Sequence, residues 1–144
     1  MNWDEYFLNI CETVASKSKD PITKIGCIIV GVDKNIISTG YNGFPSGADE
    51  PESLWERPYK YDRVSHAESN SIALAAKHGS STRGSSLYCS AHPCNECAKL
   101  IIQAGIKTVK YLGSHPLNER SGFISSKIIS ESLFLQCGVE IVKL

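Results

Sequence analysis

The first apolar pattern along the chain has the period of an α-helix. The residues that recur with this spacing are Trp3, Tyr6, Phe7, Ile10 and Val14. They predict an amphipathic helix over residues 2–18 whose aromatic side chains pack into the core. Two short runs of apolar, β-branched residues follow at 25–30 and 36–41. The polar residues 32–35 separate the two runs, and the pattern therefore predicts a β-hairpin.

The second half of the chain alternates between helical and strand patterns. The predicted helices span residues 65–78, 94–104 and 124–137, with Pro93 suited to the first turn of the middle one. The predicted strands span residues 87–90, 106–112 and 139–142. Because right-handed crossovers join strands that alternate with helices, these strands should pair in parallel. The sequence therefore predicts a single α/β domain over residues 1–144, with three layers and a central mixed five-stranded sheet flanked by helices.

A long stretch with no clear period, residues 42–65, separates the hairpin from the next helix. It contains three prolines and two glycines, and long irregular loops in compact domains are often functional. Arg57, Lys60 and Arg63 give it a small cluster of positive charge, with Lys24 on the preceding loop. These residues are candidates for binding one phosphate group, although a solvated loop face is the commoner role of such charges.

The charge balance limits the classes of partner. Fifteen basic and fifteen acidic residues give a net charge of zero, whereas proteins that bind nucleic-acid backbones usually carry a basic excess. The first ten residues are acidic and amphipathic, unlike a signal peptide, and no apolar run reaches transmembrane length. We therefore expect a cytoplasmic protein that binds neither nucleic acid nor a membrane.

Two short motifs carry the candidate chemistry. They are His66-Ala67-Glu68 and Pro93-Cys94-Asn95-Glu96-Cys97. His66, Cys94 and Cys97 would supply three ligands to a zinc ion and leave the fourth tetrahedral position for water, as in catalytic sites. Zinc lowers the pKa of bound water towards neutrality. C-x-x-C alone also occurs in redox proteins and zinc ribbons, but the order H-x-E…P-C-x-x-C is typical of zinc-dependent nucleobase deaminases.

Glu68 is the candidate general acid and base. Both motifs are predicted at helix N-termini, where unpaired N–H groups and the helix dipole stabilise thiolates. We expect Glu68 to take a proton from the attacking water and to pass it to the ring nitrogen beside the carbon under attack. The same carboxyl group would then protonate the departing amine, because it is protonated midway through the reaction.

The four other cysteines, Cys11, Cys27, Cys89 and Cys137, lie within apolar patterns. The chain does not have the form of a small secreted framework of disulfides. We therefore predict four buried free thiols and a reducing compartment. His92 is predicted to be a loop residue near the pocket and not a ligand.

With these motifs in place, the chain resembles the deoxycytidylate (dCMP) deaminase family. The further segments that carry the resemblance are Asp20-Pro21-x-Thr23-x-x-Gly26, Gly40-Tyr41-Asn42-Gly43-Phe44-Pro45-Ser46-Gly47 and residues 101–107. The resemblance implies the cytidine-deaminase fold and a zinc-dependent hydrolase that converts dCMP to dUMP and ammonia, which supplies thymidylate synthesis. It also implies that Asn42 hydrogen-bonds the deoxyribose, that the Ala67 N–H holds the pyrimidine carbonyl, and that Ser90 and Ala91 contact the amino group.

The same resemblance implies assembly and regulation. Family members are often homohexamers that dCTP activates and dTTP inhibits, and Mg²⁺ can accompany the bound triphosphate. The effector site would lie near Gly43, Phe44 and Gly47. Phe44 would either stack on a base there or pack into the core.

Two features depart from the family pattern. The loop 112–118 lacks the tyrosine that family members often carry near the substrate, and the segment 113–132 is atypical. They leave room for a relative with altered specificity, such as one that accepts dCTP as well as dCMP. A deaminase of tRNA or single-stranded nucleic acid is also conceivable, but the balanced charge disfavours it. A non-catalytic zinc-binding domain is a third possibility, which Glu68 disfavours.

Overall fold

A mixed five-stranded β-sheet lies at the centre of the molecule in a computed structural model that describes residues 1–144. Strands β1 to β5 span, in chain order, Gly26–Val30, Ile36–Tyr41, Ser86–Cys89, Thr108–Tyr111 and Glu140–Lys143. Their order across the sheet is β2-β1-β3-β4-β5. β1 pairs antiparallel with β2 and β3, whereas β3, β4 and β5 are parallel. These pairings confirm the predicted hairpin and the parallel second half.

Five α-helices accompany the sheet. Helices α1 to α5 span Trp3–Ala15, Tyr59–Arg63, Ala67–Lys77, Asn95–Gln103 and Ser121–Gln136. Helix α2 and the 3-10 turns Glu52–Trp55 and Pro116–Glu119 were not predicted, because elements of four or five residues carry too little periodicity. Pro93 precedes α4 and does not occupy its first turn, since Cys94 is the N-cap. None of the helices combines the length and apolar character needed to cross a membrane.

The pleat of the sheet divides the core into two parts, since successive strand residues face opposite sides. On one side, the buried strand residues Ile28, Val30 and Tyr88 pack with Phe7 and Cys11 of α1. The buried residues on the other side include Cys27, Ile29, Leu87, Cys89 and Val109 from the strands and Ala67, Ala98, Ile101 and Phe134 from α3, α4 and α5. The sheet therefore lies between α1 on one side and α3, α4 and α5 on the other, which gives the three predicted layers. The candidate site lies on the side of α3 and α4.

One cysteine prediction is wrong. Cys11, Cys27 and Cys89 are buried free thiols, but Cys137 is exposed. Cys137 is the C-cap of α5, where the chain turns through Gly138 with a φ of 72°. It therefore lies beyond the face of the helix that packs on the sheet.

Candidate active site

Two helix N-termini bring the motif residues together. His66 is the N-cap of α3 and Cys94 is the N-cap of α4, and both have an extended backbone. The Cys97 N–H donates to the Cys94 Sγ at 3.5 Å, so the thiol caps its own helix. A bridge between Gly43 and Ser65 closes the long stretch that precedes α3 and fixes the chain directly before His66.

Three ligand atoms from these helices form a compact group. The His66 Nδ1 lies 3.5 Å from the Cys94 Sγ and 3.4 Å from the Cys97 Sγ, and all three atoms lie within 4.8 Å of one another. In tetrahedral zinc sites with bonds of about 2.0–2.3 Å, neighbouring ligand atoms are separated by about 3.5 Å. The donor set therefore fits a zinc ion with three protein ligands, and no other His, Cys, Asp or Glu belongs to the group.

Hydrogen bonds within this group shift the ionisation of its members. The hydrogen bond with Cys97, followed by that with His66, lowers the pKa of Cys94 to about 4. The hydrogen bond with Cys94 raises the pKa of His66 to about 9 and is also the main cause of a raised pKa at Cys97. Since metal ions bind thiolates and neutral imidazole, zinc binding is expected to release protons from His66 and Cys97.

Glu68 lies in the first turn of α3 and is 5% exposed. The Cys97 Sγ donates to its Oε2 at 3.5 Å, and the Cys89 Sγ donates to its Oε1 at 3.3 Å. Burial is the main cause of a pKa raised above the ordinary 4.5 of this carboxyl group. A carboxyl group with a raised pKa beside the ligand atoms is suited to accept a proton and to return it.

A cavity of about 310 Å³ opens beside the ligand group, a size typical of small-ligand sites. The residues that line it are Asp20, Thr23, Ile25, Asn42, Arg57, Lys60, Tyr61, Val64, His66, Ala67, Glu68, Ala91, His92, Cys94, Leu117, Arg120 and Phe123. The walls therefore come from the loop before β1, the stretch between β2 and α3, the residues after β3, and the segment that leads into α5.

Of the four residues expected to contact the base and sugar, three line this cavity. They are Asn42, Ala67 and Ala91. The Asn42 side chain accepts from the Ile25 N–H at 2.8 Å and donates to the Thr23 carbonyl at 2.9 Å. Ser90 is buried outside the lining, where its Oγ accepts from the Gly26 N–H at 2.9 Å.

The candidate phosphate-binding cations are distributed differently. Arg57 and Lys60 line the cavity, whereas Lys24 and Arg63 are exposed outside it. The Lys60 Nζ lies 3.2 Å from an Asp20 carboxylate oxygen in a buried ion pair, so its charge is already compensated.

The residues expected near an effector lie apart from the cavity lining. Phe44 is buried, and its ring stacks on Trp55 with centroids 4.5 Å apart. Of the two roles left open for Phe44, the structure shows the core packing. Gly43 is buried at the bridge to Ser65, and Gly47 has a φ of 88° in an exposed turn.

No pattern in the sequence indicated the cavity residues Tyr61, Leu117, Arg120 and Phe123. Arg120 is exposed and its Nη2 lies 3.4 Å from the Thr23 Oγ1. It comes from the atypical segment, where a single arginine in a polar loop gives no signal of a binding role. Only the packing of that segment beside the loop before β1 brings Arg120 to the cavity.

Comparisons with known proteins agree with this geometry. The profile of the family described as "Cytidine and deoxycytidylate deaminase zinc-binding region" matches residues 1–113. The deoxycytidylate deaminase of Homo sapiens is 42% identical to the chain over 118 residues, which are 78% of this chain and 65% of the human protein. The chain thus spans slightly less than two thirds of the length of this relative.

Solved structures show the same fold. The dCMP deaminase from the cyanophage S-TIM5, in complex with dCMP and dUMP, has a TM-score of 0.76 and 31% identity, covering 97% of this chain and 95% of the phage chain. A structure from a study of tRNA:A34 deaminases has a TM-score of 0.64 at 23% identity, and it shares the fold alone. Since the ligand group and Glu68 both lie within the matched residues, this chain belongs to the cytidine and deoxycytidylate deaminase family.

Proposed function

We propose that this protein catalyses the hydrolytic deamination of dCMP to dUMP with release of ammonia. The observation that carries the proposal is the group of His66, Cys94 and Cys97 ligand atoms within 4.8 Å of one another, with the buried Glu68 carboxyl group beside it. The family supports the reaction type, and the phage relative, which was solved with dCMP and dUMP, supports the substrate.

The residues of the chain divide the chemistry among them. A bound zinc ion supplies a Lewis acid and lowers the pKa of a coordinated water molecule. Glu68 accepts one proton of the attacking water and delivers it to the ring nitrogen; it then takes the second proton from the hydroxyl group added to the ring carbon and delivers it to the amine, so that ammonia leaves and the carbonyl group forms. The Ala67 N–H, at the N-terminus of α3, donates to the pyrimidine carbonyl, and the segment at Ser90 and Ala91 contacts the amino group. Asn42 uses its second N–H or carbonyl lone pair to bind the deoxyribose.

Arg57 and Arg120 are proposed to bind the 5′-phosphate of the substrate. Both are exposed cavity residues, and neither takes part in an ion pair, in contrast to Lys60. Guanidinium groups suit phosphate oxygens because they offer paired N–H donors in one plane.

Regulation and assembly are proposed from the family. Lys24 and Arg63 lie outside the cavity and, with Gly43 and Gly47, are proposed to serve a separate site for dCTP or dTTP, with Mg²⁺ on the triphosphate. Phe44 would shape that loop through its packing on Trp55. A homohexamer would bury exposed apolar residues of α5, namely Ile124, Ile128 and Leu135. The free thiols suit a reducing, cytoplasmic environment.

The test is ammonia release and product identity with dCMP, dCTP, deoxycytidine and CMP as substrates of the zinc-loaded protein, each with and without dCTP or dTTP as effector. We expect dUMP from dCMP, and little turnover of deoxycytidine because it lacks the phosphate. No turnover of any of the four substrates would contradict the proposed function, whereas turnover of dCTP would favour the relative with broader specificity.

A matched pair of variants tests the phosphate contact. Arg120→Gln is expected to raise the KM for dCMP by about tenfold, the value of one charge-assisted hydrogen bond, with little change for deoxycytidine. Arg83→Gln removes a cation that does not line the cavity and should leave the KM values for dCMP and for deoxycytidine unchanged. Equal KM values for dCMP in the parent and Arg120→Gln would show that Arg120 does not bind the phosphate of the substrate.

A further inference from the structure

A buried thiol lies directly behind the carboxyl group that handles protons. Cys89 is the last residue of β3 and is 0% exposed, and its Sγ donates to the Glu68 Oε1 at 3.3 Å. Apart from Cys97 in the ligand group, Cys89 is the only side chain that hydrogen-bonds the Glu68 carboxyl group. The carboxyl group is therefore held between a core strand on one side and the ligand atoms on the other.

The surroundings keep Cys89 in its protonated form. Its register partner on β1 is Cys27, another buried thiol, and both belong to the apolar core beneath α3 and α4. Burial is the main cause of a pKa at Cys89 raised well above the ordinary 9.0. Cys89 is thus a donor that faces an acceptor-only carboxylate, which is the favourable pairing for an S–H group.

We propose that Cys89 is a positioning residue for the reaction. Its S–H group holds the Glu68 Oε1 so that the Oε2 faces the group of metal-ligand atoms, where it lies 3.5 Å from the Cys97 Sγ. This inference rests on the proposed function for its catalytic meaning. A glutamate side chain has three rotatable bonds, and a proton carrier that serves two acceptors in turn needs a fixed position. The hydrogen bond fixes the carboxylate plane without neutralising its charge, since the thiol keeps its own proton.

Kinetics of three variants test the role. Cys89→Val removes the donor and places an apolar side chain one heavy atom larger at this position, so kcat for dCMP should fall about three- to tenfold, the value of a weak hydrogen bond to a charged group. KM and zinc content should stay within about twofold of the parent. Cys89→Ser keeps a donor and should recover most of the lost kcat. Cys11→Val removes a buried thiol from the opposite side of the sheet and should retain the parent kcat.

Infrared spectroscopy tests the contact independently of turnover. The S–H stretching bands of the buried thiols lie in a spectral region free of other protein bands, and the Cys89 band is the one lost in Cys89→Val. Glu68→Gln replaces the carboxylate by a weaker, neutral acceptor, so this band should move to higher frequency, whereas the Cys11 band should not move. An unmoved Cys89 band, or a Cys89→Val variant with the parent kcat, would overturn the inference. A shift of the Cys89 band between the parent and Glu68→Gln, with no turnover by the parent, would instead refute the proposed function and leave the contact intact.

Discussion

At the scale of single residues, the ligand group links chemistry to stability. His66, Cys94 and Cys97 lie at the N-termini of two helices, so an ion bound to all three would connect α3 with α4. Because the metal binds the folded arrangement, its binding free energy adds to the free energy of unfolding. These three residues could be predicted from the sequence because their spacing and order are local patterns, which do not depend on the rest of the fold.

Replacement of one thiolate ligand should therefore release zinc and weaken the fold. Cys97→Ala is expected to lose most bound zinc and to lower the free energy of unfolding by at least about 2 kcal/mol. Metal analysis and thermal unfolding measure both effects. Cys137→Ala removes an exposed thiol and should change neither. Full zinc content in Cys97→Ala would show that this residue is not a ligand.

The buried ion pair between Asp20 and Lys60 gives a second prediction at this scale. Burial alone would raise the pKa of Asp20, but the Thr23 and Ile22 N–H groups, followed by Lys60, outweigh it and leave the pKa below the ordinary 3.8. Lys60→Met leaves the carboxylate buried without its cation and should cost about 3 kcal/mol near pH 7. Since the lowered pKa stabilises the fold above pH 3.8, this contribution should be lost as the pH falls through the lower pKa of the folded state.

Denaturant unfolding of Lys60→Met at a series of pH values measures this contribution. Lys17→Met, at an exposed lysine without an ion pair, is the matched control and should unfold like the parent. A difference between Lys60→Met and the parent that stays constant into the acid range where the Asp20 carboxylate is protonated would mean that the charge of Asp20 is not its source.

At the scale of elements, the position of α3 depends on a glycine in β2. A Cβ atom on Gly40 would lie 2.3 Å from the Ala67 carbonyl oxygen and 2.5 Å from the Ser71 nitrogen. The absence of a side chain therefore lets the first turn of α3 lie against the strand. That turn carries His66 and Glu68, so the close packing of Gly40 against it positions both side chains relative to the sheet.

Gly40→Ala should move this turn and weaken the fold together. We expect the free energy of unfolding to fall by about 1–3 kcal/mol through overpacking, with reduced zinc affinity. Gly122→Ala, within α5 and with nothing near its Cβ position, should be neutral or slightly stabilising because alanine favours helices. Calorimetry and zinc titration of the two variants provide the comparison. Parent-like zinc affinity in Gly40→Ala would show that the packing of α3 against β2 does not determine the geometry of the zinc ligands.

The elements that sequence analysis predicted are those with many regularly spaced apolar residues. The five strands and the helices α1, α3, α4 and α5 all have such patterns, and their boundaries were predicted to within three residues. Helix α2 and the turn at Pro116–Glu119 have none, because tertiary contacts fix them. Asn118 illustrates this: its side chain accepts from the His92 N–H at 2.8 Å and donates to the Leu112 carbonyl at 2.9 Å, joining two loops that are distant in sequence.

At the scale of the whole molecule, the site forms where β3 passes into α4. Ligands in α/β folds commonly bind at the carboxyl ends of strands, and two irregular parts of the chain complete the cavity there. The motif residues and some wall residues, namely Asn42, Arg57 and Ala91, could be predicted from the sequence. The rest of the walls could not, since no local pattern shows that Arg120 or Phe123 reaches the same space as Arg57. The balanced net charge, with two unpaired arginines at the cavity, suits a free nucleotide better than a nucleic-acid backbone.

The role of Glu68 is tested most directly by the turnover of dCMP by a Glu68→Ala variant, with zinc content measured on the same sample. We expect kcat to fall by about 10³-fold, the contribution of a general acid and base, while about one zinc ion per chain remains bound through His66, Cys94 and Cys97. Turnover at the parent rate in a zinc-loaded Glu68→Ala variant would contradict the central claim that this carboxyl group carries the proton.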